Sequence, residues 1–397
     1  MLVNRKEKTI DLTAQELAHK IKLFVNENVL PHEVALAQGD NQSSILLKKL
    51  TQQASELGLS GLFYPLDWGG KLDSLEDYLL VAEQEGRTEF SQTIFASHSA
   101  LDAHMLLRFG GSKVKEDFLR PLSLGQAVPS YGMTEPGQAG SVPISVSSCA
   151  QREGDDWIIN GKKWFICNVD RSDFITLLVK TNTEKEFSMF VVPTNSPGFK
   201  VERELSILGR NQGQGEVSLT NVRVPKEYLL GEQGQGLVMA GTRLAMGRVL
   251  RASHWIGLAQ RCFELMCDRV NSERGGLTRL PEKQLVRKHV FDSYQAIVGA
   301  RQMLCLAARS IDRKQKNDIE VNSAKYAASH ALCLVADLAV QLHGAEGVSD
   351  LTPLSGIYRN ARTTRILDGA DESLISSVGN HLLKQSSIAH YDFSCLD

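Results

Sequence analysis

The chain has 397 residues, 42% of them hydrophobic, and its 44 lysines and arginines nearly balance 46 aspartates and glutamates, for a formal charge of -2. That length accommodates two or three domains, each with its own core. The even charge balance argues against a general affinity for nucleic acid or anionic membrane. No run of about 18 apolar residues is present to span a membrane. The opening "MLVNRKEKTIDLTAQELAHK" turns charged at once, so a secretory signal is not expected. Cysteines 149, 167, 262, 267, 305, 333 and 395 are odd in number, scattered and without a CxxC pair. They read as reduced thiols of a cytoplasmic or mitochondrial-matrix protein, and no zinc or other metal site is expected.

In chain order, the pattern from Leu12 to about Leu122 is helical, with apolar residues three to four apart in "SLEDYLLVAEQEGRTEF" and "ALDAHMLLRFG". From about Ala127 to Glu232 the texture changes to short runs rich in Val, Ile, Phe and Trp, such as "DDWIINGKKWFICNV" and "DFITLLVK", each bounded by turn residues. After "GEQGQG" the helical period returns almost to the end. The predicted fold is α+β and mainly α: an N-terminal helical domain (1–126), a middle β-barrel or sandwich domain (127–232) and a C-terminal helical bundle (233–397).

The piece "GEQGQGLVMAG" lacks the glycine spacing and the βαβ context of a dinucleotide fingerprint. No GxSxG, HExxH or P-loop string occurs. The densest cluster of chemistry is "ARTTRILDGADESL", where Asp368, Asp371 and Glu372 follow Arg359, Arg362 and Arg365. A helix carrying the arginines should stop near Gly369 and a new one should begin in "ADESLISSVGNHLL", which puts Asp371 and Glu372 in a first turn that favours negative charge. On the residues alone Asp368 is a cap or an arginine partner. Cys167 reads equally as a buried strand thiol or a polar contact, Trp164 as a core aromatic, and His254 and His343 as satisfied helix residues.

Three strings in this order resemble the acyl-CoA dehydrogenase family: "YGMTEPGQAGS" (131–141), "QLHGAEGV" (341–348) and "RTTRILDGADE" (362–372). The helical, β, helical order resembles it as well, over nearly the whole chain. "DGADE" is similar to the branch that reads "DGPDE" instead of "EGTSE" at the catalytic base. The resemblance implies FAD-dependent α,β-dehydrogenation of an acyl-CoA thioester to the 2-enoyl product, with Asp368 taking the α-proton and flavin N5 the β-hydride. Aspartate is one methylene shorter than glutamate, which draws the carboxylate back by roughly 1 Å, a displacement that matters to rate. Gly247 falls where some members carry the base instead, and it cannot act.

The same resemblance implies flavin contacts at Tyr131, Met133, Thr134, Phe165, Ile166, Cys167, Gln284, Gln341, Gly344, Ala345, Ala370 and Glu372. It implies substrate contacts at Ser141, Arg248 and Gly369. Cys167 stands where the family usually has threonine, and a thiol is the weaker donor. The family's Arg-x-x-Phe-Gly loop is altered to "NSERGGLTRLPEKQLV": Glu273 and Gly276 occupy the arginine and phenylalanine positions, and Arg274 or Arg279 could substitute after a loop shift. Implied partners are an acyl-CoA, an electron-transfer flavoprotein and a second copy in a homodimer or homotetramer. The branch hints at long, branched or hydroxylated acyl groups. The rival readings are a dehydrogenase of a carrier-protein thioester, an acyl-CoA oxidase and a flavin-free scaffold of the same fold.

Overall fold

Thr13 and Glu16 open the first helix reciprocally: the Thr13 hydroxyl accepts from the Glu16 amide, and the Glu16 carboxylate accepts from the Thr13 amide. The helix that follows, α1 (Ala14–Phe24), buries Leu17, Ile21 and Phe24 at helical spacing. In this computed structural model, residues 12–181, 186–273 and 279–386 are described. Three more principal helices complete the first segment: α2 (Asn41–Glu56), α3 (Leu75–Glu85) and α4 (Ala100–Phe109). The first turn of α3 is capped from far along the chain. The Asp312 carboxylate accepts from the Leu75 amide at 2.9 Å, the Glu76 amide at 3.1 Å and the Ser74 hydroxyl at 3.0 Å.

The middle segment forms one eight-stranded sheet from β1 (Pro129–Gly132), β2 (Cys149–Glu153), β3 (Asp156–Cys167), β4 (Phe174–Thr181), β5 (Phe187–Pro193), β6 (Phe199–Ile207), β7 (Arg210–Pro225) and β8 (Leu229–Leu230). The order is β6-β7-β3-β2-β4-β5-β8, with β1 parallel to β4. Strands β4 and β5 are buried on both faces, which explains their unbroken apolar runs. Phe174, Leu178, Phe187, Met189 and Val191 face the helices. Ile175, Leu177, Val179, Phe190 and Val192 join Trp157, Ile159, Val217 and Val224 in the sheet's own core.

The last segment holds α5 (Gly236–Asn271), α6 (Gln284–Asp312), α7 (Asp318–His343), α8 (Leu354–Thr364) and α9 (Asp371–Ser386). Helix α5 packs against α7, α6 and α3. At the crossing of α3 and α5 a Cβ on Gly257 would lie 1.9 Å from the Glu83 carbonyl oxygen, so no side chain fits there. Around it run the ion pairs Arg261–Glu33 and Arg87–Glu264, both at 2.7 Å, and Arg301–Glu83 at 2.8 Å. The two helical segments therefore share one core instead of closing one each. The apolar face of α3 is covered by α1, α5 and α6 together, and that of α5 chiefly by α7.

One buried ion pair holds the start of the sheet. Lys163 Nζ on β3 lies 2.7 Å from Glu135, with the two side chains 0% and 2% exposed. The ammonium also donates to the carbonyls of Met133 and Leu178, and Glu135 accepts from the Ser147 and Ser148 amides. Burial would raise the Glu135 carboxyl, but Lys163 and the two serines outweigh it and hold it at about 2. Burial pulls the Lys163 ammonium down to about 8 against the pull of Glu135, so both are charged between those values. The carboxylate's contribution is complete above its ordinary value near 4.5 and is lost as pH falls toward 2. Glu135→Ala, which strands the ammonium, is expected to lower stability by about 3–5 kcal/mol at neutral pH in denaturant unfolding. An unchanged midpoint would refute this.

Candidate functional site

Helix α8 ends at Thr364 and α9 begins at Asp371, and the six residues between them form a joint. Within it Asp368 has φ +55° and Gly369 φ +115°. Left-handed backbone is uncommon for a residue with a side chain, though aspartate tolerates it better than most. At Gly369 a Cβ would approach Leu374 Cδ2 to 2.9 Å and Arg248 Nη2 to 3.3 Å, so glycine is required twice over.

The joint is gripped by its carbonyls. Arg248 on α5 donates Nε to the Asp368 carbonyl at 2.7 Å and Nη1 to Asn322 at 2.8 Å. Lys325 on α7, fully buried, donates to the Gly369 carbonyl at 2.8 Å and to Asp371 at 3.2 Å. The other oxygen of Asp371 lies 2.8 Å from Arg365 Nε and 3.0 Å from His330 Nε2. Burial would raise the Asp371 carboxyl, but Arg365, Lys325 and His330 hold it below the ordinary carboxylate range. The expected first-turn charge is present, yet its partners are side chains from two other segments.

With its carbonyl occupied, Asp368 presents the rest of itself. Among the described residues its amide makes no hydrogen bond. Its carboxylate lies 2.9 Å from Arg251 Nε, and the two side chains keep 21% and 31% of their surface. Arg251 is half-buried and keeps part of its side chain accessible. Asp368 above all raises the Arg251 guanidinium against the effect of burial, with the Cys167 thiol and Asp102 adding to it.

The opposite wall comes from the sheet. Ser130 donates to the Cys167 carbonyl at 2.8 Å, and Thr134 and Trp164 exchange two hydrogen bonds, at 2.8 and 3.1 Å. Tyr131, raised to about 12 chiefly by burial, lies under the Arg243 guanidinium at 3.9 Å and beside Met133. Arg243 is paired with buried Asp102 at 3.0 Å. Phe165 has φ +52° and is 44% exposed, whereas the Ile166 side chain belongs to the sheet core and leaves only its backbone for contact. His98 also faces this region. Burial, then Arg171, Arg251 and Arg243, push it down to about 4 against its contact with the Gln92 carbonyl, so it is neutral at physiological pH.

Tyr131, Met133, Thr134, Phe165, Cys167, Arg248, Asp368 and Gly369 thus lie on two walls linked through Arg251, which pairs with Asp368 and lies beside the Cys167 thiol. Ser141 is exposed between β1 and β2, Gln284 is the exposed first residue of α6, and Gln341, Gly344 and Ala345 are exposed at the end of α7. Among the described residues none of these five bonds to the Asp368 joint. Ala370 and Glu372 flank Asp371, half-buried and exposed. Gly247 is buried, and a Cβ there would lie 3.3 Å from Leu101 Cδ1. Glu273 and Arg279 are exposed, while Arg274 and Gly276 lie outside the described residues. Arg251, Arg243, Asp102, His98, Asn322 and Lys325 escape the sequence reading. The one signal for Arg251 is its place three residues after Arg248, on the same helix face.

An exposed aromatic ring on a left-handed residue, with half-buried Trp164 and Met133 beside it, suits a planar heteroaromatic group. The wall therefore fits a flavin ring.

Family models for the N-terminal, middle and C-terminal domains of acyl-CoA dehydrogenase match residues 12–126, 130–222 and 234–383. The mouse protein "Acyl-CoA dehydrogenase family member 11" is 31% identical over 94% of this chain and 51% of its own. The chain thus spans about half the length of that curated relative. "Probable acyl-CoA dehydrogenase FadE2" of Mycobacterium tuberculosis is 31% identical over 92% of this chain and 95% of its own. A solved chain from Mycobacterium abscessus, itself provisionally assigned as an acyl-CoA dehydrogenase, superposes with a TM-score of 0.86 at 32% identity, covering 94% of this chain and 98% of that one.

Asp371→Asn keeps the shape of the joint but removes the charge that Lys325 and Arg365 share. Stability should fall by about 3 kcal/mol at neutral pH. The gap from the wild type should narrow as pH drops below the ordinary 3.8 of aspartate, where the wild type loses the same charge. Thermal unfolding across pH checks both, and a pH-independent gap would refute the assignment.

Proposed function

The chain belongs to the acyl-CoA dehydrogenase family, and from that premise we propose that it oxidises an acyl-CoA thioester to the 2-enoyl thioester with FAD, Asp368 acting as the base. The observation that carries this reading is the Asp368 joint. Arg248 and Lys325 hold the carbonyls of Asp368 and Gly369, which leaves the Asp368 carboxylate and amide to act together.

The α-proton of a thioester is weakly acidic, so its removal needs support for the negative charge that develops on the thioester oxygen. One residue can supply both parts. The Asp368 carboxylate accepts the proton, and the Asp368 N–H, unpartnered among the described residues, donates to the oxygen. The clamp by Arg248 and Lys325 prevents the amide from reorienting as the charge grows. Tyr131, Met133, Thr134, Phe165 and the Ile166 and Cys167 backbone would hold the flavin ring. Bound FAD supplies the acceptor for the β-hydride. Gln284, Gln341, Gly344 and Ala345, remote from Asp368, would serve the cofactor only across a contact with a second copy. The exposed apolar residues Leu334, Tyr358, Ile366 and Leu383 on α7, α8, the joint and α9 are suited to such a contact. Electrons would leave to an electron-transfer flavoprotein.

The visible spectrum of the purified protein, taken before and after anaerobic addition of acyl-CoAs, tests the reading. A flavin band that bleaches supports it; a flavin that stays oxidised with every thioester moves the assignment to carrier-bound substrates, and a colourless protein to the scaffold. Asp368→Asn should keep the flavin and lose bleaching by at least about a hundredfold. Wild-type reduction rates in that variant would overturn the base assignment.

A further inference from the structure

The sheet wall and the Asp368 joint are tied together at a second place, outside the site. Strand β7 starts at Arg210 and soon pairs Gln214 with Cys167 and Gly215 with Ile166, so its first residues back the strand that carries the flavin wall. The approach there is close. A Cβ on Gly215 would lie 2.4 Å from Val169 Cγ1 and 3.0 Å from the Arg203 carbonyl oxygen, and the Asn168 amide donates to the Gly213 carbonyl at 2.7 Å.

Strands β6 and β7 are joined by Leu208 and Gly209, with Ile207 opposite Arg210. Their φ values are +47° and +80°, the sign that a two-residue turn of type I′ requires at both central positions. Glycine adopts it freely. Leucine does not, and Leu208 gains no burial in return, being 52% exposed. A strained turn persists where its surroundings determine it, and Arg210 makes the fixing contact. Its Nη1 lies 3.1 Å from Glu89, a half-buried residue just past the end of α3. The other oxygen of Glu89 accepts from Asn360 Nδ2 on α8, and Asn360 Oδ1 accepts from Thr363 Oγ1 at 3.2 Å. Arg210 itself lies against α8, since a Cβ on Gly356 would be 3.4 Å from its Nη1. Glu89 thus joins the strand behind the flavin wall to the helix that runs into the joint.

We propose that the β6–β7 hairpin is a strap and Glu89 its latch, and that Glu89, Arg210 and Asn360 are positioning residues that hold the flavin wall and the Asp368 joint at one separation. The inference rests on the dehydrogenase reading, in which the acyl group must offer its α-proton to Asp368 and its β-hydrogen to the flavin at once. Both transfers then depend on the distance between the walls. A misplacement of about 1 Å can slow such a step about a hundredfold. Arg251, with Asp368 and the Cys167 thiol, ties the walls inside the site; the latch ties them outside it.

The test uses the FAD-loaded protein. Arg210→Met opens the latch from the hairpin side without altering either wall, and Arg210→Lys keeps the charge. Hydrogen exchange is read over the hairpin, 206–215, and at the hydrogen-bonded joint amides of Ile366, Leu367 and Asp371. Flavin reduction by a saturating thioester and the dissociation constant of that thioester are measured separately. Arg210→Met should speed exchange in both stretches by about tenfold or more, as local opening does. It should keep the flavin and the dissociation constant but slow reduction on the order of 10- to 100-fold, a split that a merely structural role would not produce. Arg210→Lys should recover most of the rate. Faster exchange confined to the hairpin overturns the proposal, as does wild-type reduction in a variant whose joint has loosened. If Arg210→Met does not fold, Asn360→Ala opens the latch from α8 and is judged by the same two outcomes. The two readings fail separately: a flavin that no thioester bleaches removes the dehydrogenase, while exchange at the joint still decides whether the latch couples the walls.

Discussion

The site depends on a single carboxylate that is almost closed to water. Asp371 takes Lys325, Arg365 and His330 at once, and these partners come from α7 and from the end of α8. Because Lys325 also holds the Gly369 carbonyl, the charge of Asp371 is transmitted directly to the backbone on which Asp368 sits. An irregular joint between two helices has few hydrogen bonds of its own, so its conformation is set by the side chains that grip it from outside. A left-handed aspartate persists here because Arg248, Lys325 and Asp371 determine it from three directions.

Division of labour among the acids of "DGADE" follows from this. Asp368 is partly accessible and faces a charged partner in Arg251; Asp371 is enclosed and structural; Glu372 is exposed. Three acids within five residues thus occupy three environments, and environment is what separates a group that can exchange protons from one that cannot.

Much of this architecture was legible in the order of residues. The stop near Gly369, the new helix at Asp371 and the change of texture from helix to strand and back are local signals, written in glycine placement and apolar period. His254, read as a satisfied helix residue, is satisfied at one nitrogen only: Nε2 lies 3.0 Å from Glu85, while the buried Nδ1 has no hydrogen-bond partner among the described residues. What local pattern could not carry was pairing across distance. Asp371 reads as a first-turn acid because nothing near it in sequence announces Lys325 or His330. Arg251 reads as one more helix arginine until α5 is laid beside the joint. Cys167 stood undecided between core and contact, and the structure leaves it half-buried with its thiol toward Arg251. The shared core of the two helical segments was hidden for the same reason, since the partner of each apolar stripe lies across the whole sheet.

The cap on α3 bears on how the protein comes to be made. The Leu75 amide is satisfied by the Asp312 carboxylate, 237 residues downstream. On a ribosome, where residues appear at roughly 5–20 per second, the helix is therefore exposed well before its cap is synthesised. Until then its first turn has only Ser74, through the Asp77 amide, to satisfy it. Helices α1 and α3 can cover part of each other's apolar face as they emerge, but the faces that α5 and α6 will cover stay exposed until those helices are made, so the nascent chain has its longest need of chaperone protection at the end that is made first.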